Sequence, residues 1–251
     1  MTKLINKLTA LTAYDYSFAK IFDECGIDII LVGDSLGNVI KGDENTLKVT
    51  INEMIYHTKN VAKGVTNALI VADMPYLSYE NPDLALTNAK KLLDSGANMI
   101  KIEGGVEYKA VFEAFAKNNI RVCGHLGLQP QSVATMGYKV QGQTDGSASE
   151  ILENAILLEK LGVEILVLEC IPSKLADSIT NTLKIKTIGI GAGLATNGQI
   201  LVGYDMLGIT SGKIPRFVKN FGKDCSVIQA TKNYINEVKK LQFPNSENEY
   251  K

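Results

Sequence analysis

Four acidic residues stand at or just after the ends of short apolar runs: Asp34 after residues 29–32, Asp73 after 69–72, Glu103 after 99–102 and Glu169 after 165–168. Runs of that length without polar alternation suit strands buried on both faces of a parallel sheet. A carboxylate delivered at the end of such a strand is poorly hydrated and needs a cation, a donor or a proton. Neighbouring carboxylates repel unless positive charge sits among them, and an oxygen-only set suits Mg2+. Asp34, Asp73 and Glu103 are therefore candidate metal ligands, with separate helix-capping or surface-paired acids as the alternative. Lys101 precedes Glu103 by two positions, so in a strand both share a face. It either holds a substrate carboxylate or enolate oxygen, or is the structural partner of the acids. Glu169, expected across the ring from the acid cluster, is a candidate general base because shielding from water raises a carboxyl pKa, or else a salt-bridged acid.

His125 follows the run 120–123 and is a possible site residue, whereas His57 lies within a helical pattern and reads as structural. A Zn site from Cys123, His125 and Cys170 can be drawn but lacks tight ligand spacing. Gly189-Ile190-Gly191-Ala192-Gly193 invites a dinucleotide reading, yet Leu194 occupies the third glycine position and the motif comes late in the chain. It reads instead as close backbone approach.

The elements that must position these groups alternate about eight times. Strands are expected at 8–13, 29–32, 69–72, 99–102, 120–123, 165–168, 187–190 and 200–206. Helices are expected at 17–25, 50–63, 82–95, 106–117, 149–161, 172–183 and 223–241, with Thr50 and Glu53 forming a capping box. Alternation with short connections predicts a parallel sheet wrapped by helices, and eight repeats favour a closed (β/α)8 TIM barrel, an α/β fold whose site lies where the strand ends converge. The loop 128–147 is long enough to be a lid or binding loop. No composition break marks a boundary, so residues 1–242 are expected to form one barrel domain and 243–251 a polar tail.

The chain has 251 residues, with 26 basic against 27 acidic side chains, which argues against nucleic-acid or membrane attraction through bulk charge. Arg121 and Arg216 are its arginines, too few for a guanidinium-lined phosphate surface. Cys25, Cys123, Cys170 and Cys225 form no C-x-x-C pair, and residues 1–4 carry no signal-peptide pattern, so a cytoplasmic location with reduced thiols is expected. No apolar run approaches the roughly 20 residues of a membrane helix.

Several segments, in this order, resemble the ketopantoate hydroxymethyltransferase family: Thr12-Ala13-Tyr14-Asp15-Tyr16-Ser17-Phe18-Ala19-Lys20, Leu31-Val32-Gly33-Asp34-Ser35-Leu36-Gly37, Ile100-Lys101-Ile102-Glu103-Gly104-Gly105, Cys123-Gly124-His125-Leu126-Gly127-Leu128, Gly137-Tyr138-Lys139-Val140-Gln141-Gly142, Leu166-Val167-Leu168-Glu169-Cys170 and Ile188-Gly189-Ile190-Gly191-Ala192-Gly193. The resemblance implies a barrel transferase that hydroxymethylates 3-methyl-2-oxobutanoate from 5,10-methylenetetrahydrofolate through a Mg2+-stabilised enolate, giving 2-dehydropantoate on the way to pantothenate. It implies Mg2+ on Asp34 and Asp73 with Glu103 as a further ligand, substrate contacts from Asp34, Ser35, Asp73 and Lys101, and Glu169 as proton acceptor. It also implies a large homo-oligomer, often a decamer. The chain departs from the family pattern at Lys48 (usually Pro), at Asn197 (usually Asp), in a shorter N-terminal extension and in a tail without His. Two readings compete: a Mg2+-dependent carbon–carbon lyase or mutase of the isocitrate-lyase type, and a non-catalytic barrel that binds a metabolite. Folate dependence separates the first from the transferase, and substrate turnover the second.

Overall fold

The computed structural model describes residues 7–132, 137, 139–212 and 214–250. Residues 1–4, the 133–136 part of the long loop and Tyr138 therefore lie outside the described residues. Eight parallel strands close on themselves: β1 (Leu8–Thr12), β2 (Ile29–Val32), β3 (Leu69–Asp73), β4 (Met99–Glu103), β5 (Val122–Gly127), β6 (Ile165–Glu169), β7 (Lys186–Ile190) and β8 (Gly198–Leu201). β8 pairs with β1 and completes the ring. This is the (β/α)8 TIM barrel expected from the alternation.

Period-two geometry decides what the barrel encloses. Ala10, Ile29, Leu31, Val71, Ile165, Val167, Ile188 and Ile200 line the lumen together with Lys101 and Cys123. Two residues further along the same strands stand Thr12, Asp73, Glu103, His125 and Glu169. Inward-facing apolar residues thus fill the base of the barrel, and the next inward positions, at the C-terminal rim, are polar.

The helices follow their local signals, except that the one expected at 149–161 begins at Asp145, where Thr144 and Ser147 form a capping box and shorten the long loop. The one expected at 223–241 also shifts, spanning Val227–Lys239 with Ser226 as its cap. Thr50 and Glu53 form the expected capping box on the helix Ile51–Ala62, and Asn81 caps the helix that Pro82 opens. Helix α1 (Tyr16–Glu24) is tied to the barrel by Asp23, a buried acid whose carboxylate accepts from the backbone N–H groups of Thr66, Asn67 and Ala68 and from the Asn67 amide. Burial opposes ionisation there, but those donors outweigh it and hold the Asp23 pKa below its ordinary value.

Two strands differ from expectation by more than one residue, β5 and β8, each at both ends. β5 runs four residues beyond the apolar pattern, because His125 pairs with Glu103 on one side and Val167 on the other; two-sided ladder pairing carries the backbone through Gly124 and His125. The expected strand 200–206 is instead β8, which ends at Leu201, followed by a short helix Gly203–Leu207 closed by Gly208 in the left-handed conformation. A continuous apolar run cannot separate strand from helix by period alone. The departure at Asn197 has a local role, since its side-chain oxygen accepts from the Thr187 N–H at 2.9 Å and ties β7 to β8. Residues 243–250 fold back onto the barrel: Phe243 packs edge-on against Phe221 and Tyr234, and the Tyr250 carbonyl accepts from the Ser173 N–H at 2.9 Å. Among the described residues no helix is long and apolar enough to cross a membrane.

Replacing Asp23 by Ala is expected to lower the unfolding free energy by roughly 2–3 kcal/mol, because several N–H donors lose a charged acceptor. A depressed native pKa gives stability that is present above the ordinary carboxylate value of about 4 and lost as pH falls through the native one. Urea titrations at neutral and acid pH should therefore show the gap between mutant and wild type shrinking on acidification.

Candidate active site

Strand register brings the chemistry-bearing residues side by side. Asp73 is the lateral partner of Lys101, Glu103 of His125, and Gly127 of Glu169. The Lys101 Nζ lies 2.6 Å from Asp73 Oδ1 and 3.9 Å from Glu103 Oε1. His125 continues the line, with Nδ1 3.5 Å from Glu103 Oε1 and Nε2 3.3 Å from Glu169 Oε2. Neither imidazole nitrogen meets hydrogen-bond geometry, so these are charge contacts. Asp34 joins the group through its backbone N–H, which donates to Asp73 Oδ2 at 3.1 Å. One connected chain of charges therefore runs Asp34–Asp73–Lys101–Glu103–His125–Glu169. Glu169 does not stand across the ring from the acid cluster as expected: its strand is the next but one after that of Glu103, and His125 between them links the two, a bridge that spacing in the sequence does not reveal.

The electrostatics follow from burial. Asp34, Asp73, Lys101, Glu103 and His125 are all buried, while the Glu169 side chain retains 14% exposure. Burial, then the charges of Asp73 and Glu103, push Asp34 well above the usual carboxylate range. Burial raises Asp73 as well, against the opposing pull of Lys101. Glu103 goes the other way: burial disfavours its charge, but His125, Lys101 and the Gln131 N–H hold it below its ordinary value. Burial disfavours the Lys101 ammonium, yet Asp73, Glu103 and Asp34 together raise its pKa. His125 is opposed by burial and by Lys101, but its two carboxylate neighbours prevail and raise it to about 9.

The donor set fits a divalent cation. Asp34 and Asp73 are adjacent, Asp34 is short of positive charge, and the buried Glu103 Oε1 has no hydrogen-bond partner. Among the described residues no three His, Cys, Asp or Glu side chains enclose an ion by themselves.

Two groups of residues escaped the sequence reading. Gln131, in the loop after β5, is buried; its side-chain amide donates to Asp34 Oδ2 at 2.8 Å and to the Met74 carbonyl, and its backbone N–H donates to Glu103 Oε2 at 3.0 Å. Tyr79 in turn donates to Gln131 Oε1 at 2.7 Å. Tyr14 is the other, its hydroxyl 2.8 Å from Ser35 Oγ. An isolated Gln in a loop and a Tyr near a strand end carry no distinctive spacing. His57 takes the structural place expected of it, donating from Nδ1 to the Tyr14 carbonyl at 2.6 Å.

The rim beside Glu169 is shaped by close approach. Gly127 has φ +95°, and a Cβ there would collide with the Glu169 carbonyl oxygen, which accepts from the Leu128 N–H at 2.8 Å. Cys170 adopts φ +49°, held by its N–H to the Ile190 carbonyl and by its carbonyl to the Gln141 N–H, each 2.9 Å. Its thiol faces Tyr250, whereas Cys123 lies in the lumen layer beneath His125. Gly191, at φ +62°, makes room for Phe217 and Tyr250, whose rings come within 2.9 and 3.1 Å of where its Cβ would be. The glycine motif therefore accommodates the returning C-terminal segment.

Comparison with known proteins identifies the family. A family model described as ketopantoate hydroxymethyltransferase matches residues 1–246. A 3-methyl-2-oxobutanoate hydroxymethyltransferase from Ruthia magnifica subsp. Calyptogena magnifica is 56% identical over 97% of this chain and 95% of its own length. Among solved structures, a phosphoenolpyruvate phosphomutase from Streptomyces platensis subsp. rosaceus superposes with TM-score 0.62 at 13% identity, over 80% of this chain and 79% of its own. A 2,3-dimethylmalate lyase of the PEP mutase/isocitrate lyase superfamily gives 0.59 at 16%, over 81% and 75%. At that identity the structural likeness speaks to the fold alone.

A histidine whose native pKa is raised contributes stability that is complete below its unfolded value of about 6.5 and lost as pH rises through the native one. The metal-free protein is therefore expected to lose stability between about pH 6.5 and its native value of about 9. His125→Gln should flatten that slope, as read by thermal melting across the range.

Proposed function

The chain belongs to the ketopantoate hydroxymethyltransferase family, and from that premise we propose that the barrel mouth carries out hydroxymethyl transfer to 3-methyl-2-oxobutanoate, giving 2-dehydropantoate, with 5,10-methylenetetrahydrofolate as the one-carbon donor. The observation that carries the site assignment is the continuous charge chain from Asp34 to Glu169 along five adjacent strand ends.

The reaction removes a proton from C3 of an α-keto acid, and negative charge then develops on the keto oxygen. Glu169 is the base: it is less shielded than the sequence reading expected, and that exposure leaves it the carboxylate of the row open to a substrate, with His125 behind it at 3.3 Å to steady it. Lys101 lies deeper, and its ammonium, already fixed by Asp73, offers preorganised positive charge toward the developing enolate oxygen. Ser35 binds the keto acid beside Asp34 and Asp73. Asp34 and Asp73 would hold the divalent cation, Mg2+ in this reading, with Glu103 supporting it. When bound there, the ion supplies Lewis-acid polarisation of the keto acid oxygens. Water opens the methylene bridge of the folate, its two C–N bonds breaking and the two folate nitrogens taking the protons, so that the one-carbon unit is presented at the formaldehyde level; the C3 carbon attacks it, and the resulting alkoxide takes up a proton to become the hydroxymethyl group. The segment 125–142 is the proposed folate seat. Self-association, as a decamer in the family's manner, and a cytoplasmic location complete the proposal.

The lyase or mutase reading shares the barrel and the keto acid enolate. Its support is the fold-level likeness, whereas the transferase reading rests on more than half of the residues being identical to a relative of that name.

The test is NMR-detected deuterium exchange at C3 of 3-methyl-2-oxobutanoate, with Mg2+ and without folate. Wild type is expected to exchange, and Glu169→Gln to exchange at least about 100-fold more slowly, the usual scale of a lost general base. Equal rates would move the base elsewhere. A folded wild type that exchanges neither with nor without folate would overturn the transferase assignment.

A further inference from the structure

A row of hydroxyl groups leads from a backbone amide to the substrate side of the rim. The Gly203 N–H donates to Thr12 Oγ1 at 2.9 Å, the Thr12 hydroxyl donates to Tyr14 OH at 2.8 Å, and Tyr14 OH lies 2.8 Å from Ser35 Oγ. For the last pair, distance alone leaves either oxygen as donor. A backbone N–H can only donate, and each hydroxyl has a single proton. Thr12 donates to Tyr14, Ser35 is the other oxygen at the Tyr14 hydroxyl, and a buried hydroxyl places its proton on an acceptor, which favours Tyr14 as the donor. The Ser35 proton is then left to point away from the row.

The row is rigid. Tyr14 is 1% exposed, its carbonyl accepts from His57, and its ring packs edge-on against Tyr204 at 5.6 Å. Burial holds the Tyr14 phenol above its ordinary pKa, so it stays a neutral donor. Ser35 sits at the acid end: a Cβ on Gly33 would lie 2.7 Å from Ser35 Oγ and 3.4 Å from Asp73 Oδ2. An anionic ligand entering between such carboxylates is repelled by them, and a neutral donor of fixed direction offsets that repulsion without adding charge.

We propose that Thr12 and Tyr14 are positioning residues that make Ser35 a hydrogen-bond donor to the carboxylate of the keto acid, with the Gly203 N–H anchoring the far end of the row. This rests on the reading that the mouth binds an α-keto acid. It adds a basis for specificity: the position selects a ligand group that accepts over one that donates.

The experiment is calorimetric binding of 3-methyl-2-oxobutanoate and of its neutral amide, 3-methyl-2-oxobutanamide, to the full-length protein with Mg2+ present. Tyr14→Phe is expected to weaken the acid about tenfold, the scale of one hydrogen bond, and the amide less than about twofold, because a released Ser35 can accept from the amide NH2. Thr12→Val should repeat that selective loss and Thr12→Ser should restore wild-type binding. In a Ser35→Ala background Tyr14→Phe should have no further effect, which a purely structural role of Tyr14 would not produce. Equal weakening of acid and amide, an undiminished effect without Ser35, or wild-type binding by Thr12→Val would each overturn the inference. If Tyr14→Phe fails to fold, the Thr12 pair decides it from the far end of the row. A wild type that binds no keto acid overturns the functional reading and this inference with it, and is distinct from a wild type that binds while the variants bind equally well.

Discussion

The ammonium of Lys101, buried at the centre of the mouth, is the charge on which the arrangement depends. Removing such an ion from water costs several kcal/mol, and is tolerated only with close partners. Asp73 at 2.6 Å and Glu103 at 3.9 Å supply them. The dependence is mutual, because without the lysine Asp34, Asp73 and Glu103 would be mutually repelling carboxylates in a low-dielectric space. Lys101 satisfies Asp73 first and leaves Asp34 held well above the usual carboxylate range. That residual shortage of positive charge is what a divalent cation would answer.

Barrel closure keeps these charges in place. In a closed parallel sheet no strand can slip by one residue without turning its inward residues outward, so the pairs Asp73–Lys101 and Glu103–His125 are locked by the apolar layer beneath them. Rigidity below allows precision above. His125 can bridge Glu103 and Glu169 across two strand intervals only because β5 continues to Gly127 instead of ending where its apolar residues do.

Loops contribute by hydrogen bonding more than by charge. Gln131 reaches down from the β5 loop to contact both Asp34 and Glu103, and Tyr79 fixes its orientation. On the opposite flank Cys170, strained at positive φ, joins β7, the long loop and the C-terminal segment at one point next to Glu169. Such backbone strain persists where several contacts over-determine it. The proposed base thus stands where three pieces of chain distant in sequence meet.

How much of this was legible beforehand depends on the range of the interaction concerned. Apolar runs ending in acids announced the strands, their buried faces and the convergence of Asp34, Asp73, Lys101, Glu103 and Glu169, because a period of two and parallel burial are local properties of the chain. The capping box at Thr50 was equally local. The end of β5, the helical turn at Gly203–Leu207 and the return of residues 243–250 to the rim were not, since each is settled by partners distant in sequence. The same holds for His125 as a bridge, Gln131 as a staple and the row from Gly203 through Thr12 and Tyr14 to Ser35, which joins residues up to 191 positions apart. The sequence by itself determined which faces are buried and where the acids emerge. Tertiary structure alone decided which groups share protons and charge, because hydrogen bonds and ion pairs depend on separations of a few ångströms that only the closed barrel sets.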